Sequence, residues 1–334
     1  MTVRRRVAPL AALAAMLVGL AACGSSGDED TLTLYSGRIA PILAPAVKQY
    51  ETASGFAVKT RYGDSPSLAA TIAEEGSNSP ADVFFAQDAG SLDAVEKRGL
   101  LLKLPADVLA KVPAHFRSKA GAWVGITGRS RVIAYGPDVK RSELPDSPLA
   151  LTERRWRGRV GWAPTNASLQ GYITALRLVE GEDVARRWLT GMVANDVQAY
   201  DSNIPVRDAI AKGEIDLGLI NHYYVAEAKA EDPDYPVEVH FPPKDLGSLV
   251  NTAGVGVLAA SEHKDQALRF VRQMLSTQTQ RYFADSSKEY PLVAGVPAAK
   301  ELTPLGDIPS PKIDLAKLGD LQGTLRLMRE TGAL

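Results

Sequence analysis

Cysteine is almost missing from the 334-residue chain, which has only Cys23. A single thiol excludes an intrachain disulfide framework. With no C-x-x-C pair, it also argues against a thiolate zinc site. The four histidines, His115, His222, His240 and His263, form no H-E-x-x-H or other spaced zinc pair. A surplus of one charge is missing too. Lys and Arg number 38 against 39 Asp and Glu, a net charge of −1. No basic excess points to nucleic acid, and no acidic tail appears. There is no internal repeat of the roughly 20–50-residue period that marks repeat folds. No G-x-S-x-G elbow, P-loop or dinucleotide-binding glycine fingerprint occurs. The acids are scattered, so no glycosidase pair can be named. A surface hydrolase would need a nucleophile–base pair or a catalytic metal site, and none is visible.

What is present is ordinary globular composition, 45% hydrophobic and 23% charged, in a chain long enough for two lobes. The N-terminus stands apart. "MTVRRR" is a positive n-region, and "VAPLAALAAMLVGLAA" is an apolar h-region too short and too poorly flanked for a permanent span. It ends in "LAAC", Leu20 to Cys23, which resembles a bacterial lipobox. The only cysteine lies where that motif requires it. Residues 1–22 then read as a signal peptide and Cys23 as the lipidation site. The stretch 23–30 has the polar composition of a linker. The expected location is the outer face of the cytoplasmic membrane, with the protein tethered by lipid at the cell surface or in the periplasm.

From Thr31 the apolar period alternates in type. "TLTLYSG" reads as a strand ending in a glycine turn. "APILAPAVKQYETASG" puts Leu43, Val47 and Tyr50 at helical spacing, with Gly55 as a stop. "FAVKTRYG" is a strand, "SPSLAATIAEEG" a helix with Ser65 as N-cap and Pro66 in its first turn, and "ADVFFAQ" a buried strand. A second set begins after "AWVGITGR". In it "SRVIAYG", "RVGWAPT", "VQAY" and "IDLGLI" are strand-like. "NASLQGYITALRLVEG", "DVARRWLTGM" and "IPVRDAIAKGE" are helix-like. Then come the strand "GVGVLAA" and one long helix, "KDQALRFVRQMLSTQTQRYFAD". The tail from about Pro309 is Pro-rich and then helical. This order predicts an α/β fold with a mainly parallel sheet.

Ligands of such sheets bind at the carboxyl ends of strands. Polar residues collect there: Tyr35 to Arg38, Gln87 and Asp88, Thr165 to Ser168, Ser202 and Asn203, and Asn221 to Tyr224. They suggest one cleft. Tyr223 and Tyr224 sit where a strand-like run gives way to a helix-like one. A phenol has a pKa near ~10 and binds metals poorly while protonated, but a hard trivalent cation can displace the proton. Two phenolates therefore suit ferric iron. The alternative is an ordinary core or surface aromatic pair. In "PTNASLQ", Thr165, Asn166 and Ser168 offer donors where a helix begins. That is either an anion site or plain capping by Asn166 or Ser168. Arg129 and Arg131 add positive charge, unless they are solvated. His222 either joins the tyrosines or points away from them.

The stretches "LTLYSGR", "EEGSNSPADVFF", "WVGITGRSRVIAYG", "GWAPTNAS", "DSN", "GEIDLGLINHYY" and "KEYPL", in this order, resemble the ferric-iron-binding substrate-binding proteins of ABC transporters. The similarity runs from about residue 31 to the C-terminus. It implies a two-lobed, type II periplasmic-binding-protein fold. Each lobe would be a mixed, mainly parallel sheet flanked by helices, and two crossing strands would form the hinge. Residues 31–128 plus 254–300 would form one lobe and 129–253 plus 301–334 the other. It implies Tyr223 and Tyr224 as central ligands of Fe³⁺. Thr165, Asn166, Ala167, Ser168, Asn203, Asn221 and Arg129 would surround a synergistic anion such as phosphate or carbonate. Tyr35, Ser36, Gly37 and Arg38 would line the cleft. The implied partners are an ABC permease and ATPase, with the chain a monomer and not an enzyme.

The sequence departs from the family in places. Some members have a histidine where Ile39 stands, and a glutamate where Gln87 stands beside Asp88. Others carry a tyrosine where Leu169 stands, with Tyr172 three residues on. Ferric iron with two phenolates keeps one positive charge, so an anion should complete the shell, with Gln87 or Asp88 as the protein contribution. The rival reading keeps the fold and changes the ligand to a phosphonate, thiamine, a polyamine or another oxyanion.

Overall fold

The computed structural model describes residues 31–334; the expected signal peptide, Cys23 and the linker lie outside the described residues. In chain order the elements are β1 (Thr31–Ser36), α1 (Ala40–Ser54), β2 (Ala57–Tyr62), α2 (Ser65–Glu75), β3 (Val83–Ala86), α3 (Ala89–Glu96), α4 (Ala106–Leu109), β4 (Trp123–Tyr135) and β5 (Val160–Trp162). There follow α5 (Ala167–Val179), α6 (Glu182–Ala194), β6 (Gln198–Ala199), α7 (Asn203–Ala211), β7 (Leu217–Asn221), α8 (Tyr223–Glu231) and β8 (Glu238–His240). The chain closes with β9 (Val250–Val257), α9 (Lys264–Met274), α10 (Thr277–Ser286), β10 (Tyr290–Pro291) and α11 (Leu321–Glu330). No helix among the described residues is long and apolar enough to cross a membrane.

Helical spacing decides the burial of α1. Leu43, Ala46, Val47 and Tyr50 form its inward stripe, and Gly55 ends it in the left-handed region. Tyr50 meets Phe270 of α9 edge-on, with ring centroids 5.2 Å apart. Each such large side chain contributes about 1.5–3 kcal/mol by leaving water. The strands β3, β4, β7 and β9 are buried along both faces, apart from the half-buried end of β4 at Tyr135. That explains their near-continuous apolar sequences.

Two mixed sheets share one strand, β4. In the first, β2, β1 and β3 run parallel, and β9 is antiparallel to β3. In the second, β7, β5 and β6 run parallel, with β4 antiparallel to β7 and β8. The long β4 joins them. It pairs with β9 from Trp123 to Ser130 and with β10 at Gly128, then exchanges to β7 from Arg131. The exchange of partners at Gly128–Arg131 is where the chain passes from one sheet to the other. The architecture is α/β with helices flanking both sheets.

Four expectations need correction. The N-cap of α2 is Asp64, not Ser65. Ser65 is the first helical residue, and its hydroxyl instead accepts the Gln87 N–H at 2.7 Å. The strand expected to begin at Ser130 begins at Trp123, because the sheet buries both faces of "WVGITGR". The single long helix after "GVGVLAA" is two. The Ser276 hydroxyl captures the Thr279 N–H at 3.2 Å, so the chain leaves α9 and restarts as α10. The tail does not belong to the second sheet alone. Its turn Leu315–Gly319 packs against both α3 and α5. Only glycine fits at position 90, where a Cβ would strike the Leu318 carbonyl. Beyond the turn α11 docks on α5, where Thr174 and Thr324 share a 2.7 Å hydrogen bond.

Candidate functional site

At the end of β1 the Ser36 hydroxyl folds the chain back on itself. It donates to the Arg38 carbonyl at 2.9 Å and accepts the Arg38 N–H at 3.0 Å. Gly37 donates to the Phe85 carbonyl at 2.7 Å, which ties this turn to β3. A Cβ on Gly37 would collide with the Ser65 hydroxyl. The turn drives the Arg38 side chain inward, where Nη2 donates to Glu289 Oε1 at 2.5 Å. Glu289 is fully buried and also accepts from the Thr127 hydroxyl at 2.6 Å.

Arg129 and Arg131 share one face of β4, two residues apart. Both are buried, so they are not solvated surface charges. Arg131 is engaged through two of its nitrogens, while its Nε has no hydrogen-bond partner. Its Nη1 reaches Ser168 Oγ and Asn221 Oδ1, each at 3.2 Å, and Nη2 donates to the Leu219 carbonyl at 2.7 Å. Arg129 is different. Its Nε lies 3.9 Å from Glu289 Oε1, and none of its three nitrogens has a hydrogen-bond partner. Burial lowers the pKa of both, that of Arg131 to about 10, and both remain cations at neutral pH.

β7 ends at Asn221, and α8 starts with the two tyrosines. Their ring centroids are 4.2 Å apart, with the planes tilted by 36°. Tyr223 is buried and Tyr224 half-buried. Burial pushes the Tyr223 phenol well above its ordinary range, and Tyr224 adds to that, while Arg38 and Arg129 pull it back. His222 points elsewhere. Its Nδ1 accepts the Ser130 N–H at 3.2 Å, so Nε2 carries the proton and donates to the Lys288 carbonyl at 3.0 Å. It stacks on Tyr290, and burial lowers its pKa to about 4. Neither ring nitrogen is left for a ligand.

Asn166 caps α5. Its Oδ1 accepts the Ser168 N–H at 3.0 Å and the Ser168 hydroxyl at 2.5 Å. Asn221 Nδ2 donates to the same hydroxyl at 3.1 Å. Capping therefore engages Asn166 and Ser168, while the first-turn N–H of Ala167 has no intrahelical acceptor. Asn203 opens α7 fully buried, with both amide atoms unpartnered. A cleft of about 480 Å³ separates the two halves. Gly37, Arg38, Ile39, Tyr62 and Gln87 line one wall, and Thr165, Asn166, Ala167, Gln170 and Asp201 the other.

Tyr35, Asp88, Leu169 and Tyr172 lie apart from this arrangement. The Tyr35 hydroxyl donates to Glu75 at 3.0 Å and accepts from Arg61 at 3.2 Å, behind β1 rather than in the cleft wall. Asp88 caps α3, accepting from the Ser91 N–H at 2.8 Å and the Ser91 hydroxyl at 2.9 Å, so its carboxylate is occupied. Burial raises its pKa against those bonds. Leu169 and Tyr172 belong to the core, with Tyr172 edge-on to Trp188 at 5.7 Å. Sequence reasoning missed Glu289, the partner of Arg38; its only signal was the "KEYPL" stretch. Among the described residues no three His, Cys, Asp or Glu side chains cluster as a metal site. Any metal held here depends on the phenols.

A model of the bacterial extracellular solute-binding proteins matches residues 32–286. The Fe(3+)-binding periplasmic protein of Serratia marcescens is 32% identical over 332 residues, covering 98% of this chain and 97% of its own. Among solved structures, iron-bound HitA from Pseudomonas aeruginosa superposes with a TM-score of 0.86 at 35% identity, over 90% of this chain and 99% of that one. The Trichodesmium protein solved with iron and citrate ligands gives a TM-score of 0.78 at 31% identity, over 90% and 99%.

Proposed function

The chain belongs to the bacterial extracellular solute-binding proteins, and on that premise we propose that it captures ferric iron in the interlobe cleft and delivers it to an ABC permease. The carrying observation is the phenol pair at the start of α8, set beside a buried arginine that has no hydrogen-bond partner. Tyr223 and Tyr224 lose their protons to the incoming cation, whose charge outweighs the cost of buried phenolate. Two phenolates leave one positive charge on the iron, and a net charge in a closed cleft is costly. An oxyanion such as phosphate or carbonate offsets it. Arg129 and Asn203 have unengaged polar atoms for that anion, with Thr165, Asn166, Ala167, Ser168 and Asn221 around it. Gln87 remains the protein contribution from the first wall. Asp88 does not, being the cap of α3.

Two lobes, 31–128 plus 254–300 and 129–253, with the tail packed on helices of both, close about β4 and β9. The permease and its ATPase accept the closed form. No bond is made or broken, so the chain acts as a carrier and not an enzyme. The signal peptide at 1–22 and a lipid on Cys23, holding a monomer at the membrane's outer face, belong to the same proposal. Its test is a ferric titration of the purified chain with phosphate or carbonate present, watched by visible absorbance. The expected result is a tyrosinate-to-iron band that saturates at a single equivalent and is lost in both Tyr223→Phe and Tyr224→Phe. A chain that stays colourless has a cleft serving another ligand.

A further inference from the structure

The C-terminal segment is fastened to both halves of the molecule. After β10 it passes the start of β9, where Ser310 Oγ accepts the Val250 N–H at 3.0 Å. It then meets the half built on the first sheet. Asp314 pairs with Lys119 at 2.6 Å, an exposed contact of little weight. Leu315 and Leu318 are buried, and the Leu318 carbonyl lies so close to α3 that a Cβ on Gly90 would strike it. From Asp320 the segment belongs to the second half. Arg177 of α5 is buried, and its Nη1 donates to the Asp320 carbonyl at 3.1 Å and to the Thr324 hydroxyl at 3.0 Å. Its Nη2 meets Asp320 Oδ2 at 3.1 Å. Thr324 is fully buried and shares its second hydrogen bond with Thr174 of α5.

Direct packing between α3 and α5 is slight, and the turn Leu315–Gly319 sits against both. Beside the turn is a cavity of about 190 Å³, with Ala69, Ala73 and Ala94 on the first half and Gly171 on the second. Pro66 and Ala167 line both this cavity and the cleft, so the segment crosses next to the cleft. A small, partly empty contact between two halves leaves them free to move. A segment docked on both does not. Resting on the two-lobe and ferric readings, we infer that the C-terminal segment is a strap, a tie additional to β4 and β9 that limits how far the halves part and so slows the loss of iron. Opening must lift the turn from α3 or α11 from α5. The first exposes Leu315 and Leu318 to water, and the second exposes Leu327 and Met328, all of them buried.

The test loosens the strap at each end in the full chain. Gly90→Ala drives a Cβ into the Leu318 carbonyl while favouring the helical state of α3 itself. Thr324→Leu overfills the contact of α11 with α5 and removes its hydrogen bonds. Neither residue lines the cleft. Leu315→Asp and Leu327→Asp loosen the same two ends from the segment's own side, should either first choice fail to fold. Small-angle scattering of the iron-free chains reads the opening. Decay of the phenolate–iron band in excess EDTA reads the release of iron. Each variant should show a larger radius of gyration than the wild type and lose iron about tenfold faster, the weight of one buried leucine. A strap released at one end is already slack, so the double variant should open no further than either single one. Unchanged scattering at either end overturns the inference. So do effects that add, which mark independent local damage, and expansion without faster loss of iron. A wild type with no phenolate–iron band refutes the ferric reading, and with it the strap's part in holding iron, whereas scattering alone judges the tie between the halves.

Discussion

Arg129 gives the sharpest prediction, because stability and function should move in opposite directions there. Its guanidinium is buried, with no hydrogen bond on any nitrogen. Its nearest carboxylate, Glu289, already serves Arg38 at 2.5 Å and Thr127 at 2.6 Å. Replacing Arg129 therefore orphans nothing. Arg129→Met keeps an unbranched chain of similar reach and removes a buried charge whose ion pair, at 3.9 Å, is with a carboxylate that Arg38 already serves. Exchanges of buried charge for well-packed apolar groups gain about 1–4 kcal/mol. At roughly 2 °C per kcal/mol for a chain of this size, the ligand-free variant should melt about 2–8 °C above the wild type. The same change removes a charge-assisted bond to the anion, so iron held with phosphate or citrate should weaken about 10- to 100-fold. Calorimetry of the iron-free proteins and competition against a chelator read the two effects. A variant that melts below the wild type, or that holds iron as tightly, refutes the argument that Arg129 waits for an anion.

Three further substitutions test the framework. His222 is held neutral, with its pKa lowered by burial to about 4. An unfolded histidine takes up its proton near ~6.5, so the stability from this group is present above that pH and is lost as pH falls through 4. The stability difference between wild type and His222→Gln should shrink by about 3 kcal/mol from pH 7 to below 4, and a difference that stays flat excludes this. Gly37→Ala forces a Cβ onto the Ser65 hydroxyl and should cost about 1–3 kcal/mol in denaturant titrations. Adding Ser65→Gly should recover part of that loss; no recovery would mean the collision is not the cause. Asp88→Ala should cost about 1 kcal/mol through the lost cap while leaving the phenolate–iron band intact. A weakened band would return Asp88 to the metal site.

Much of the fold was legible because helical and strand periods differ. Leu43, Val47 and Tyr50 identified the buried stripe of α1 without any knowledge of its partner. Tyr35 could have been excluded by the same logic. Successive side chains on a strand face opposite ways, and the turn at Ser36 faces the cleft, so Tyr35 faces α2. Asp88 also carried a local signal, an Asp three residues before Ser91 at a helix start. Other features had no local signal. Arg38 and Glu289 are 251 residues apart, and only the packing of β10 beside β4 brings them together. The passage of β4 between partners is likewise a tertiary event. An all-apolar strand reads the same whether one sheet or two lie beside it.

The polar groups behind the cleft walls divide into two kinds. Arg131, Asn221, Ser168 and Asn166 bond one another and hold the second wall in register with the end of β7. Ser36, Arg38 and Glu289 do the same for the first wall. Arg129 and Asn203 remain buried without hydrogen-bond partners. Nearly all buried polar groups in folded proteins are paired, so each exception calls for a reason. An unpartnered cation is tolerable when the lobes part and water reaches it. It is costly when they meet around an empty cleft. On the proposed ferric reading, Arg129 would penalise closure without cargo, and an anion arriving with iron would remove the penalty. The group predicted to lower the stability of the ligand-free chain would then also be the one that makes closure conditional on its cargo.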